Sequence, residues 1–243
     1  MELAGRVALV TGAGQRVGQA IAVALGGRGM RVAVHYRGSA AGAAATCDAV
    51  RAAGGEAHPF QADLGEPDAP AALVDAAAAH FGGLDVLVNS AAVMERTPVA
   101  EVTTAQWDAM FALNLRAPFF CAQAAARHMH ETGGAIVNLA DLAAFETWPA
   151  YVPHTITKAG VVQMTRALAR ALAPRVRVNA VAPGTVLLPQ GWREADAERL
   201  RSTTPLARNG SPDDVVRAVL YLLDADFVTG DVLLVDGGRH VRT

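Results

Sequence analysis

The chain has 243 residues, 52% of them hydrophobic, with a formal net charge of −2. That length and apolar content suit one large α/β domain, and without a basic excess to neutralise phosphates the chain is not expected to bind nucleic acid. No apolar run approaches the ~20 residues that span a bilayer, and strand-like sequence begins almost at once with no signal peptide ahead of it, so a cytoplasmic protein that avoids membranes is expected.

Short apolar runs at 7–10, 32–35, 58–61, 86–88, 136–139, 176–181 and 232–235 alternate with Ala-rich helical stretches. Continuous rather than alternating apolarity predicts strands buried on both faces, and right-handed crossovers then give a doubly wound parallel sheet of about seven strands with helices on both faces. No repeat, charge block or linker divides the chain, so 1–243 reads as one Rossmann-type dinucleotide-binding domain. Ligands of such sheets bind beyond the carboxyl ends of the strands, so the residues after each run carry the functional interest. Cys47 and Cys121 lie in helical stretches without metal-ligand spacing. They read as buried free thiols, and no metal is expected.

After the first run comes Thr11-Gly12-Ala13-Gly14-Gln15-Arg16-Val17-Gly18, followed by an apolar helix. Glycines at 12, 14 and 18 allow a tight turn, close approach of a pyrophosphate and close packing of helix on strand, while the helix N-terminus offers N–H groups and partial positive charge. The second run ends in His35-Tyr36-Arg37-Gly38-Ser39 and has no acid to accept from a ribose 2′-hydroxyl; the next is Asp48. Arg16, Arg37 and Ser39 can converge on a 2′-phosphate, favouring NADPH over NADH. Asp63-Leu64 follows the third run and Asn89-Ser90-Ala91 the fourth. These fit contacts to adenine and to the body of the cofactor, but they also fit ordinary turn chemistry.

Together with Asn114, Lys158, Asn179, Pro183-Gly184 and the ending Val235-Asp236-Gly237-Gly238, these pieces resemble the short-chain dehydrogenase/reductase family over nearly the whole chain. The pattern is most similar to the pteridine reductase branch, in which arginine replaces the middle glycine of the turn (Arg16), the second strand ends in His-Tyr with basic residues and serine following, and aspartate (Asp141) replaces the active-site serine. The resemblance implies NADP(H) held by residues 12, 14, 16–18, 35–37, 39, 63–64, 89–91, 158 and 183–184. It also implies hydride transfer to a C=O or C=N carbon of a small, pterin-like or other, substrate; a proton from a Tyr-x-x-x-Lys pair; an Asn (Asn114) organising a relay water; a lid over 185–203; and a homo-oligomer, typically a tetramer, packed through the apolar helices near 106–130 and 155–172.

One departure stands out. Four residues before Lys158, where the family has tyrosine, this chain has His154. Helical spacing of four keeps the pair on one face, and imidazole is a competent acid near neutral pH. Three readings remain open: His154 as the proton donor oriented by Asp141; Tyr151 as donor, with Pro153 disturbing the intervening turn; or a cofactor-binding protein of the same fold with impaired redox activity and a regulatory, assembly or non-redox role. Lys158 is the only lysine among 21 basic residues, which suits a retained role on the ribose. Met94, shortly after the 89–91 turn, and Trp192 in the lid are candidate substrate contacts. Trp192 can equally pack the lid onto the core.

Overall fold

The computed structural model describes residues 1–129, 131, 133–188 and 194–241. Its seven parallel strands are β1 (Val7–Val10), β2 (Arg31–Tyr36), β3 (Glu56–Gln61), β4 (Val86–Asn89), β5 (Gly134–Leu139), β6 (Val176–Pro183) and β7 (Val232–Val235), in the order β3-β2-β1-β4-β5-β6-β7. The predicted runs all lie within these strands. Between them come α1 (Arg16–Gly26), α2 (Ala40–Ala52), α3 (Ala69–Phe81), α4 (Thr104–Phe111), α5 (Ala117–His128), α6 (Val152–Leu172), α7 (Glu194–Ser202) and α8 (Pro212–Asp224).

Side chains alternate along each strand, so the sheet feeds two cores. Ala8 and Val10 of β1 face Ile21 and Leu25 of α1, Val50 of α2 and Leu222 of α8. Val7 and Leu9 face Leu73 of α3 and Cys121 and Ala125 of α5. Burial on both faces holds for β1, β4 and β5, whose residues are all buried. It fails for β3, which lies at the sheet edge, carries Pro59 and is largely exposed. An edge position tolerates a proline that has no N–H to give to a ladder.

Local chemistry sets the helix starts. Thr103 and Gln106 form a reciprocal capping box ahead of α4, with Gln106 N–H donating to Thr103 Oγ1 at 3.2 Å and Thr103 N–H to Gln106 Oε1 at 3.0 Å. At α8, the Ser211 N–H and hydroxyl both donate to the Asp214 carboxylate. Pro153 does not break α6: it lies in the first turn, with Tyr151 as the N-cap, where a missing N–H costs nothing. His154 and Lys158 therefore share one regular helical face, while Tyr151 stands outside the helix, bridged to Thr97.

The strand order reverses between β1 and β4, and the crevice at such a switch point is where these sheets take ligands.

Candidate active site

At the switch point the β1–α1 turn meets the segment after β4. Thr11, buried, accepts the Ser90 and Ala91 N–H groups on Oγ1 at 2.9 and 3.0 Å. Gly12 has φ +66, and a Cβ there would lie 2.9 Å from Ala91 Cα; a Cβ on Gly18 would lie 2.4 Å from the Gly12 carbonyl oxygen. Backbone packs on backbone, and only glycine fits. Arg16 holds the left-handed conformation (φ 56) despite its side chain. Its guanidinium reaches the Leu187 carbonyl, at the start of the expected lid, at 3.5 Å. Beyond the turn, the first N–H groups of α1 lack partners within the helix, as at any helix N-terminus.

The β2–α2 loop closes over this turn. Gly14 lies against Tyr36 and Ser39: a Cβ on it would be 3.4 Å from Tyr36 Cβ and 3.3 Å from the Ser39 carbonyl. Thr46 of α2, a residue the sequence did not flag, donates to the Ala13 carbonyl at 3.0 Å. Arg37 is exposed beside this loop, and its carbonyl accepts from Gln61 Nε2. Val17 packs half-buried against the core.

Several flanking candidates have structural partners. Asp63 Oδ1 accepts the Gly65 N–H at 2.9 Å, Leu64 is buried among α3 and α5 side chains, and Asn89 Nδ2 donates to Asn138 Oδ1 at 2.9 Å within the core. Pro183 ends β6, and the Gly184 N–H donates to the Val235 carbonyl at 2.9 Å.

The second half of the site hangs from α6. Lys158 is 4% exposed, and its Nζ donates to the Leu139 carbonyl at 2.7 Å. Burial pushes its pKa down and the Asp141 carboxylate opposes this. An ammonium has three hydrogens, so one carbonyl leaves donors for a ligand hydroxyl. Asn114 sits in a π-helical turn, Ala112–Arg116, a distortion frequent at functional sites. Its amide pairs with the Val93 peptide, accepting the N–H on Oδ1 at 2.9 Å and donating from Nδ2 to the carbonyl at 2.8 Å, and Nδ2 also lies 3.3 Å from Thr157 Oγ1.

His154 is 2% exposed and lies between two acceptors. Nδ1 is 3.3 Å from the Val93 carbonyl and Nε2 is 3.4 Å from Asp141 Oδ2; Asp141 Oδ1 meanwhile accepts the Ala143 N–H at 2.8 Å. A carbonyl and a carboxylate only accept, so both contacts are hydrogen bonds when the ring and Asp141 together hold one more proton than a neutral imidazole and a carboxylate. Sequence alone gave no sign of Val93 and Leu139, because their contribution is through backbone carbonyls.

Tyr151 is half-buried and packs edge-on against Trp148 at a centroid distance of 6.3 Å. Met94 is exposed. Trp192, with 189–193 of the expected lid, lies outside the described residues. Among the described residues no group of three or more potential ligands gathers for a metal, and no helix is long and apolar enough to cross a membrane.

The arrangement pairs a tight backbone turn at a switch point with a buried lysine and with the contact between His154 and Asp141. The chain belongs to the short-chain dehydrogenase/reductase family. A family profile described as enoyl-(acyl carrier protein) reductase matches residues 12–240. An uncharacterized oxidoreductase of Methylorubrum extorquens is 40% identical over 98% of both chains. Versicolorin reductase of Emericella nidulans is 37% identical over 97% of this chain and 96% of its own. The 3-oxoacyl-[acyl-carrier-protein] reductase FabG of Staphylococcus aureus is 34% identical over 96% of this chain and 98% of its own. A crystal structure assigned to a short-chain alcohol dehydrogenase of Sinorhizobium meliloti superposes with a TM-score of 0.94 at 38% identity, covering 100% of this chain and 99% of that one.

Proposed function

We propose that the protein is a cytoplasmic NADPH-dependent reductase of a small C=O or C=N substrate, in which the proton held between His154 and Asp141 replaces the one a tyrosine gives in the family pattern. The observation that carries this reading is the His154 ring, fixed between the Val93 carbonyl and Asp141 on the α6 face that also bears Lys158. A relative named as a 3-oxoacyl-[acyl-carrier-protein] reductase supports a carbonyl carbon as the acceptor. The Arg16, His35-Tyr36-Arg37, Ser39 and Asp141 pattern keeps a pterin-like ring in the substrate panel.

The residues present fit a dinucleotide. The glycine-rich turn would offer backbone N–H groups to the pyrophosphate, Arg37 and Ser39 on the β2–α2 loop would hold a 2′-phosphate, and the Lys158 ammonium has hydrogens to spare for ribose hydroxyls. When bound, the cofactor supplies the hydride. Asn114 holds the Val93 peptide and so fixes one acceptor of the His154 ring. Asp141 is more exposed than His154 and is the member of the pair a substrate would meet, in keeping with contacts that tighten when substrate arrives. Tyr151 and Met94 are the described residues read as bordering the substrate. The exposed Trp107, Phe119 and Phe120 beside a 620 Å³ groove are read as the contact face of a homotetramer.

Turnover of a carbonyl panel with NADPH and with NADH tests the reading in wild type, His154→Phe, His154→Tyr and Arg37→Ala. His154→Phe is expected to lower kcat by about 100-fold or more, the usual worth of a positioned acid, with NADPH affinity retained. Arg37→Ala is expected to erase the NADPH preference. Unchanged turnover in His154→Phe overturns the role of the dyad. A rise in His154→Tyr favours the second reading, a dinucleotide-binding protein with impaired redox activity.

A further inference from the structure

His35 is the last residue but one of β2, where the family resemblance makes it one of several cofactor contacts. The structure leaves its ring no nitrogen for a ligand. The ring is 2% exposed and spans two loops. The Gly12 N–H points at Nδ1 from 3.0 Å, and the Ala62 carbonyl faces Nε2 at 3.1 Å. The Ala13 N–H also donates to the His35 carbonyl at 2.8 Å. One residue thus takes both N–H groups at the head of the glycine-rich turn.

The partners settle the tautomer. A backbone N–H can only donate, so Nδ1 is bare; a carbonyl can only accept, so Nε2 carries the hydrogen. A second proton on the ring would set Nδ1–H against Gly12 N–H, donor against donor. Burial pushes the pKa of His35 down and so favours the neutral ring, with the Ala62 hydrogen bond and the Asp63 carboxylate opposing.

We propose that His35 is a positioning residue of the dinucleotide site: as the neutral Nε2–H imidazole it ties the Gly12 peptide to the β3–α3 loop at Ala62 and sets the orientation of the turn. Gly12 cannot move towards Ala91, which a Cβ there would meet at 2.9 Å, and His35 restrains it from the side of β2. With the N–H groups of Gly12 and Ala13 occupied, those from Gly14 onward are the ones aimed at phosphate. This inference rests on the dinucleotide reading above.

Asparagine keeps an acceptor, Oδ1, in the place of Nδ1 for the Gly12 N–H, although its Nδ2 stops short of the Ala62 carbonyl, whereas leucine offers neither group. NADPH titrations of wild type, His35→Asn and His35→Leu therefore test the role. Asn is expected to keep Kd within about threefold and Leu to raise it about tenfold or more, as expected when buried polar groups lose their partners. Leu binding like wild type, or Asn and Leu losing affinity equally, would overturn the proposal. Long-range ¹H–¹⁵N spectra of the cofactor-free, histidine-labelled protein supply a second readout that needs no ligand. His35 is expected as a neutral ring protonated at Nε2 at pH 7, and a proton on Nδ1 would sink the assignment. If the wild type itself fails to bind NADPH, the cofactor reading falls, and the ring spectrum still reports on His35 separately.

Discussion

Thr11→Val is nearly isosteric and removes one oxygen from the centre of the fold. In the wild type that oxygen accepts the Ser90 and Ala91 N–H groups at 2.9 and 3.0 Å from a side chain that is 1% exposed. Each buried donor left without a partner costs about 1–3 kcal/mol. Ser90 and Ala91 are half-buried and recover part of this through water, so a total of roughly 2–4 kcal/mol is expected. For a chain of this size, each kcal/mol moves Tm by about 2–4 °C, which puts the expected loss near 8 °C. Thr11→Ser keeps the oxygen and gives up one methyl group, worth about 1 kcal/mol or less. Thermal unfolding of the three proteins, with an NADPH titration of each, measures the effect. Val should lose both stability and affinity, because Ala91 packs directly on Gly12, while Ser should stay near wild type. A Thr11→Val protein within about 2 °C of wild type would refute the reasoning, since it would mean the two N–H groups need no side-chain acceptor.

Arg16→Gly should raise Tm by about 1–3 °C, because a left-handed backbone costs a residue with a Cβ roughly 1 kcal/mol and the Leu187 contact at 3.5 Å offsets little of it; calorimetry checks this, and a lower Tm would show that the side chain holds more than that contact. Asp214→Asn bears on acid stability: hydrogen bonds from Arg208, above all, hold the Asp214 carboxyl well below its ordinary range, against burial and with help from Ser211. A carboxyl lowered in the folded state stabilises above its unfolded pKa and loses that contribution as pH falls towards the folded one. Wild type should therefore exceed the variant in Tm at pH 7, with the gap narrowing below about pH 4, and a gap that widens on acidification would contradict the sign.

The sheet was legible because its strands are short, apolar and separated by helices, and burial demands that pattern of a parallel sheet. β3 is the exception that physics explains: 58–61 reads as apolar enough for a core, yet Pro59 and the strand order place it at the edge. The glycine-rich turn and the His154–Lys158 spacing could be read directly, since backbone contact and helical periodicity leave marks in sequence. Pro153 was a fair mark against a regular helical turn from Tyr151 to His154: Tyr151 is the non-helical N-cap, and the proline sits in the first turn of α6. What sequence could not give is which backbone carbonyls close the site. Val93 and Leu139 act through main-chain atoms that every residue possesses. His35 was visible as a residue but not as a tautomer, which needs Gly12 and Ala62 in place.

Lysine occurs once in the chain, at the floor of the site, and arginine supplies every other permanent side-chain cation. Biosynthetic labelling with ¹³C-lysine would therefore place a reporter on a single side chain, inside the candidate site. The protein thus carries its own spectroscopic address for that site, and its filling or emptying can be followed by the signals of one lysine without any engineered substitution.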